Sequence, residues 1–197
     1  MRKQTLTIVI ILICVSVLVA FLVFDSMEKK REALLEAERK ELFTLWDQTE
    51  VYMSIEDFLK LYPEAIRLTS RSSGSLDYYR LSSPRIIIDN PYIVDFEFSD
   101  NTLDKVTLRL EDKEAESFRL PDFGYNLYQY LVYIYGTPSR SYSEGDFSKK
   151  RLVSCTWNHN LAKITLNSFY NSKTPYLSIS YTVNHELINA YLAQHDL

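Results

Sequence analysis

The amino-acid sequence predicts an α+β protein. We expect an N-terminal transmembrane helix and a helical stalk, then a two-layer domain of two helix-plus-antiparallel-meander repeats. Three observations lead to this fold class. Residues 5–24 are an unbroken apolar run, several segments after residue 93 alternate apolar with polar side chains, and each group of alternating segments follows a short helical pattern that ends at Pro or Gly. The predicted domains are residues 1–24, 25–50 and 51–197.

Residues 5–24 have the features of an uncleaved membrane anchor. They contain no charged residue and no proline, and about 20 helical residues span a hydrocarbon core of about 30 Å. The alternative is a cleaved signal peptide, which has a shorter apolar stretch and a small-x-small cleavage site, whereas Leu18 stands two residues before Ala20. Cys14 follows Ile13 and not a small residue, which is unlike a lipid-attachment site.

The charges that flank the apolar run bear on its orientation. Arg2 and Lys3 precede it, and residues 29–40 carry more cations, interleaved with acids. Cations alone would place the C-terminal side inside the cell. A short basic tail before one apolar run is instead typical of a signal-anchor, so we predict that the soluble domain lies outside the cytoplasm, in the periplasm or on the cell surface.

The stalk is predicted from residues 25–48, which are rich in Glu, Lys, Arg, Ala and Leu and contain no Gly or Pro. Leu35, Leu42, Leu45 and Trp46 fall near one stripe. A dimerising stalk is one interpretation, and a solvated helix that docks on the domain at its end is the other. Coiled coils need at least three heptads, so the second interpretation is favoured.

An internal repeat is predicted because residues 94–110 match residues 153–167. The matched pairs are Val94 with Val153, Phe96 with Cys155, Phe98 with Trp157, Leu103 with Leu161, Lys105 with Lys163, Val106 with Ile164, Thr107 with Thr165 and Leu108 with Leu166. Repeat 1 spans about residues 54–112, with Ser54 as a helix N-cap, and repeat 2 spans about residues 122–183. A C-terminal helix is expected at residues 185–195, after Asn184.

The alternation assigns side chains to two faces of the predicted sheet. The helices should cover an apolar face made of Val94, Phe96, Phe98, Val106, Leu108, Trp157, Ile164, Leu166, Ile179 and Tyr181. The opposite face should be a flat, hydroxyl-rich surface of mixed charge. Its candidate binding residues are Asp95, Glu97, Lys105, Arg109 and Lys163, together with Tyr78 and Tyr79 as exposed aromatic residues, which protein interfaces favour.

Composition and motifs exclude several function classes. The net charge of −4 argues against nucleic acid as a partner. The three histidines form no HxH or HExxH motif, four glycines are too few for a nucleotide-binding loop, and the two cysteines form no CxxC pair, so no metal and no cofactor is predicted. Cys155 is expected to be a buried thiol.

Asp95 and Glu97 are the one candidate pair for catalysis, since they share a strand face about 7 Å apart. A hydrolase that uses them is therefore an alternative function, although such pairs are common on solvated strands.

The order of a helix, a breaker and a meander that ends in hydrophobic-x-F-x-[FW], a turn and L-x-K-[VI]-T-L resembles two groups of bacterial envelope proteins. These groups are the BamE-like lipoproteins and the tandem repeats of β-lactamase-inhibitor-protein-like modules. The resemblance covers about residues 54–183 and implies an extracytoplasmic binding or assembly role without catalysis.

We therefore predict a membrane-anchored module that binds another protein, as an envelope assembly factor or as an inhibitor or immunity protein. The alternatives are the hydrolase and a small-ligand or lipid sensor, which would need a cavity between the helices and the sheet.

Overall fold

The computed structural model describes residues 2–110, 120–143, 152–169 and 176–194, and in the first helix it describes the side chains of Phe21 and of residues 24–43. The chain divides into two units, Met1–Leu42 and Phe43–Leu197.

The first unit consists of α1 (Arg2–Phe43). From residue 24 to residue 41 its side chains are almost all exposed, and Lys29 pairs with Asp25 one turn away at 2.8 Å. Among the residues whose side chains are described, no helix is both long and apolar enough to cross a membrane. The predicted anchor falls mostly outside those residues, at 5–20, 22 and 23, and stays a prediction.

The predicted end of the stalk is wrong, because the helix ends at Phe43 and not near residue 48. A small hairpin follows, made of β1 (Thr44–Trp46) and β2 (Thr49–Glu50). Asp47 turns the chain with a positive φ of 54°, and the Thr49 hydroxyl donates to the carbonyl oxygen of Trp46. Leu45 is buried and the Trp46 ring packs against Phe96. Burial in the domain thus overrides the helical preference of this segment.

Ser54 starts α2 (Ile55–Leu61) as predicted. The Ser54 hydroxyl accepts a hydrogen bond from the backbone N–H of Asp57 at 3.1 Å and donates to its carboxylate at 2.8 Å. Phe58 is fully buried, and its ring contacts the rings of Tyr62, Tyr79, Phe96 and Phe98.

The larger sheet is antiparallel at every described pairing. Its strands are β3 (Ile66–Arg67), β4 (Leu76–Arg80), β5 (Arg85–Ile87), β6 (Asn90–Ser99), β7 (Thr102–Leu110), β8 (Arg140–Ser143), β9 (Leu152–His159), β10 (Ala162–Phe169) and β11 (Tyr176–Val183). The order is β3-β4-β6-β7-β11-β10-β9-β8, with β5 paired to β6. Together with α3 (Leu120–Tyr135) and α4 (His185–Gln194), these elements make an α+β fold with four described helices.

The apolar face of the sheet is confirmed, because all ten residues predicted for it are buried. On one half of this face lies α2, through Phe58. On the other half lies α3, where Tyr128 packs against Trp157 and where a Cβ at Gly124 would lie 3.0 Å from Oγ of Ser168. Cys155 is also buried in this layer.

The two hairpins that the sequence predicts as repeats, β6–β7 and β9–β10, lie on opposite sides of β11. Both β7 and β10 run antiparallel to β11, so they point the same way. A rotation of 180° about an axis parallel to β11 would place one hairpin on the other, but it would also turn the sheet over and bury the opposite face. Both hairpins bury the same face, so this rotation does not relate them. The internal repeat therefore stays a prediction.

Candidate functional site

The strand register arranges the polar face, opposite α2 and α3, in three rows of directly paired residues. The first row is Arg80, Asp95, Thr107, Ser180, Thr165, Thr156 and Arg140. The second is Tyr78, Glu97, Lys105, Thr182, Lys163 and Asn158. The third is Ile93, Arg109, Ser178, Asn167, Ser154 and Tyr142. We call this surface the open face.

The expectation of a flat open face is wrong, since an open concavity of about 680 Å³ occupies part of it. Arg71 comes from the loop before β4 and adds a side chain that the strands do not supply. The lining residues are Arg71, Tyr78, Arg80, Asp95, Phe96, Glu97, Lys105, Thr107, Arg109, Asn167, Tyr176 and Ser180. We call this site the arginine concavity.

Asp95 is the centre of the arginine concavity. Its side chain is only 10% exposed. The guanidinium of Arg80 donates from Nε to one carboxylate oxygen at 2.6 Å and from a terminal nitrogen to the other at 2.9 Å. Arg71 donates to the second oxygen at 3.1 Å, and a terminal nitrogen of Arg109 lies 3.9 Å from the same atom. One buried carboxylate thus holds three guanidinium groups in place.

These contacts decide what Asp95 can do chemically. An ionised carboxylate only accepts hydrogen bonds, and both oxygens of Asp95 already accept them from arginines. Such a group acts as a counter-ion that orients its partners and is poorly placed to take a proton from a substrate.

Tyr78 and Glu97 form the side of the concavity next to the Asp95 cluster. The guanidinium carbon of Arg71 lies 4.7 Å from the centre of the Tyr78 ring, which is a cation–π distance. Burial raises the pKa of Tyr78, the Glu97 carboxylate raises it further, and Arg71 opposes this rise. Glu97 is paired with Lys105 across the strands, beside an irregularity in the register. The edge of the concavity therefore offers a carboxylate and a neutral phenol beside the cations.

Most of the candidate residues from the sequence come together. Asp95, Glu97, Lys105, Arg109 and Tyr78 line the arginine concavity. Lys163 shares the open face but lies outside the concavity.

Tyr79 is a correction, because it is 8% exposed and its ring packs on Phe58 and Phe98. It points to the opposite side of β4 from Tyr78, as neighbouring strand residues do, so its side chain belongs to the core.

Sequence reasoning missed Arg71 and Arg80. The alternation of β4 could have assigned Arg80 to the same face as Tyr78, two residues away, had this segment been recognised as a strand. Arg71 comes from the polar loop, where no periodicity indicates a direction. Its contact with Asp95, 24 positions along the chain, follows from the tertiary fold alone.

A second concavity of about 580 Å³ lies on the helix side, among the β1–β2 turn, β5, α3 and β11. Its lining residues are Trp46, Asp47, Gln48, Arg85, Ile86, Ile87, Tyr130, Ile134, Tyr135, Ile179 and Tyr181. Burial raises the pKa of Tyr135, and it raises that of Tyr181 well above the ordinary range, so both phenols are neutral. We call this site the helix-side cleft.

His185 links α4 to two other parts of the domain. Its Nδ1 lies 2.8 Å from the Tyr52 hydroxyl, and its Nε2 lies 3.1 Å from an Asp104 oxygen. All three side chains have solvent exposure, and none of them lines either concavity.

No cluster of three potential metal ligands occurs within the described ranges. His195 falls outside the described residues.

Comparison with protein-family models, with curated proteins and with solved structures finds no match.

Proposed function

We propose that this protein is a membrane-anchored, extracytoplasmic module that binds another protein through its open face. The observation that carries the proposal is the arginine concavity. It groups four cations with two carboxylates, a formal net charge of +2, on a chain whose net charge is −4. Charged and hydrogen-bonding groups in complementary arrangement give protein interfaces their specificity. The hydroxyl and amide groups of Thr107, Ser180 and Asn167 suit a polar contact of this kind.

The anchor and stalk are part of the same proposal. Residues 5–24 would hold the protein in the membrane, and the remainder of α1 would connect this anchor to the domain. The basic tail before the apolar run supports a domain outside the cytoplasm. A tether of this kind raises the effective concentration of a binding module near partners in the same membrane.

The resemblance to BamE-like lipoproteins and β-lactamase-inhibitor-protein-like modules supports an envelope role. The predicted repeats enter this proposal as two hairpins of related sequence on either side of β11. Two versions follow: an envelope assembly factor, and an inhibitor or immunity protein. The second version predicts stoichiometric binding to a single target.

We propose a non-catalytic role in preference to the hydrolase. Asp95 and Glu97 do line a concavity, which is the observation in favour of catalysis. Against it, the oxygens of Asp95 are taken by Arg71 and Arg80. A general base must have an oxygen free to reach the proton it abstracts.

The helix-side cleft is the observation that favours a small-ligand or lipid sensor. It has the size and the mixed apolar and polar lining of small-molecule sites. Because Trp46 lines it, titration of the detergent-solubilised chain with a medium-chain fatty acid should shift tryptophan emission if this alternative holds. An unchanged spectrum at saturating ligand would remove it.

Site-specific photocrosslinking in native membranes tests the protein-binding role. A photoreactive amino acid in place of Thr165 samples the open face beside the concavity. The same photoreactive amino acid in place of Ile134 samples the helix side and is the matched control. We expect a reproducible crosslinked protein from position 165 and none of the same mass from position 134. The additional change Arg109→Glu should remove the crosslink.

Two results would contradict the proposal. The first is the absence of any reproducible product at position 165, and the second is the same product from both positions with no sensitivity to Arg109→Glu.

A further inference from the structure

We propose that the arginine concavity binds an acidic segment of the partner, with a carboxylate side chain received by Arg109 and Lys105. This inference rests on the proposed function and names the chemistry of its partner. It draws on two features of the concavity: donors that Asp95 does not use and acceptors at the rim.

The donors come from Arg71 and Arg109, which Asp95 holds in place without engaging all of their nitrogens. Arg71 donates to Asp95 from a single terminal nitrogen. The nearest carboxylate oxygen to Arg109 is 3.9 Å away, beyond hydrogen-bond length, and its side chain is 40% exposed. Within the described part of the chain the side chain of Arg109 makes no hydrogen bond. A guanidinium has five N–H donors in a planar fork that matches a carboxylate, so Arg109 can receive a second one.

The Asp95 carboxylate preorganises the arginine side chains for binding. It draws three guanidinium groups toward one point and offsets part of their mutual repulsion before any partner arrives. A preorganised donor loses less side-chain entropy on binding than a free one does.

The acceptors distinguish a protein segment from a phosphate. Glu97, Thr107 and Ser180 also line the concavity, and each can accept a hydrogen bond. A peptide offers N–H donors beside its carboxylates and can satisfy both kinds of group. A phosphate ion at neutral pH has only one or two hydroxyl donors beside its acceptor oxygens, so it would satisfy fewer of these acceptors than a peptide would.

Ser178 adds a further polar group. Its hydroxyl is fully buried and has no hydrogen-bond partner among the described residues. In the register it stands between Arg109 and Asn167, which both line the concavity. Buried hydroxyls are nearly always hydrogen-bonded, so Ser178 leaves an unsatisfied polar group beneath this part of the open face, out of reach of the partner.

The test uses the full chain in nonionic detergent and fluorescein-labelled hexaglutamate, followed by fluorescence anisotropy. Labelled hexaglutamine is the neutral control peptide, and unlabelled inorganic phosphate is the competitor. Arg109→Gln removes the receiving guanidinium. Arg140→Gln makes the same change on the same face, at a position outside the concavity.

We expect hexaglutamate to bind with a Kd about tenfold below that of hexaglutamine. Arg109→Gln should raise that Kd about tenfold, whereas Arg140→Gln should change it by less than about twofold. Arg109→Lys should restore part of the affinity, because it returns the charge without the fork. Tryptophan emission confirms that each variant is folded, since Trp157 is buried in the core and Trp46 packs against Phe96.

Equal binding of the two peptides, or equal effects of Arg109→Gln and Arg140→Gln, would overturn the inference. Displacement of hexaglutamate by inorganic phosphate at about equimolar concentration would overturn it in favour of a phosphate site. The two proposals fail separately. A photocrosslinked partner at position 165 without hexaglutamate binding removes the acidic segment and leaves the protein-binding role. Hexaglutamate binding that depends on Arg109, without a captured partner, contradicts the protein-binding role and leaves only an affinity of the concavity for acidic peptides.

Discussion

Replacement of Asp95 by Asn removes the negative charge that holds three arginines and leaves the shape of the side chain almost unchanged. Breaking a buried ion pair from one side costs about 3–5 kcal/mol, whereas an exposed pair contributes about 0–1 kcal/mol. Asp95 is nearly buried, but its partners are 31% to 50% exposed and regain water when the charge is lost. We therefore expect Asp95→Asn to lower the free energy of unfolding by about 2–3 kcal/mol.

The stability cost of each arginine substitution should follow the contact that the side chain makes with Asp95. Arg80→Gln removes both short hydrogen bonds and should cost about 1–2 kcal/mol. Arg71→Gln and Arg109→Gln should each cost less than about 1 kcal/mol, because these side chains are the more exposed ones. Asp77→Asn is the matched control, since among the described residues Asp77 forms its ion pair with the exposed Arg67, and it should also cost less than about 1 kcal/mol.

Urea unfolding of the full chain in nonionic detergent, followed by the emission of Trp46 and Trp157, measures all of these differences. A free energy of unfolding for Asp95→Asn within about 0.5 kcal/mol of the unchanged chain would refute the role given to this carboxylate. An equal cost of Arg109→Gln and Arg80→Gln would refute it as well, since the ranking would then not follow contact with Asp95.

Three further predictions concern the core, pH and helix capping. Phe58→Ala should destabilise the domain by about 3–5 kcal/mol in the same urea assay, whereas Leu61→Ala on α2, 40% exposed, should cost less than about 1 kcal/mol; similar costs would contradict the placement of Phe58. Burial raises the pKa of Tyr92 to about 12, so its phenol stays protonated in the folded state where an unfolded tyrosine, with a pKa near 10, has lost its proton. Its contribution to stability is then complete below about pH 10 and falls by about 1.4 kcal/mol per pH unit between about pH 10 and 12, a slope that Tyr92→Phe should reduce in urea titrations repeated across that range. Ser54→Ala should cost about 1 kcal/mol through the lost N-cap and Ser54→Asp should cost less, and equal losses in thermal unfolding would argue against the capping bond.

Two features of the fold were predictable because they depend on local repetition. Strand alternation identified the buried face, including Phe96, Ile164 and Ile179, since one face of a half-covered sheet must be apolar. The N-cap at Ser54 was readable because capping depends on residues only three positions apart. The end of α1 was not predictable in this way. Helix propensity continues past Phe43, and the competing term is the burial of Leu45 and Trp46 against a sheet formed much later in the chain.

Only part of the candidate site was predictable from the sequence. Parity assigned Asp95, Glu97, Lys105 and Arg109 to one face, and all four line the arginine concavity. The alternation assigns a side chain to a face only where a strand has been recognised. Residues 76–80 were not recognised as a strand, so Tyr79 was assigned to the surface. The shape of the face was also missed, because Arg71 reaches it from a loop.

The sequence by itself determined which side chains face the core, the composition of the open face and the apolar character of residues 5–24, because each of these follows from the order of neighbouring residues. The tertiary structure alone decided that Arg71, Arg80 and Arg109 meet at Asp95 and that the open face is concave. It also decided that β6–β7 and β9–β10 lie on opposite sides of β11. These features depend on strand order, register and loop placement. The packing of the whole sheet determines all three, so no local pattern of residues encodes them.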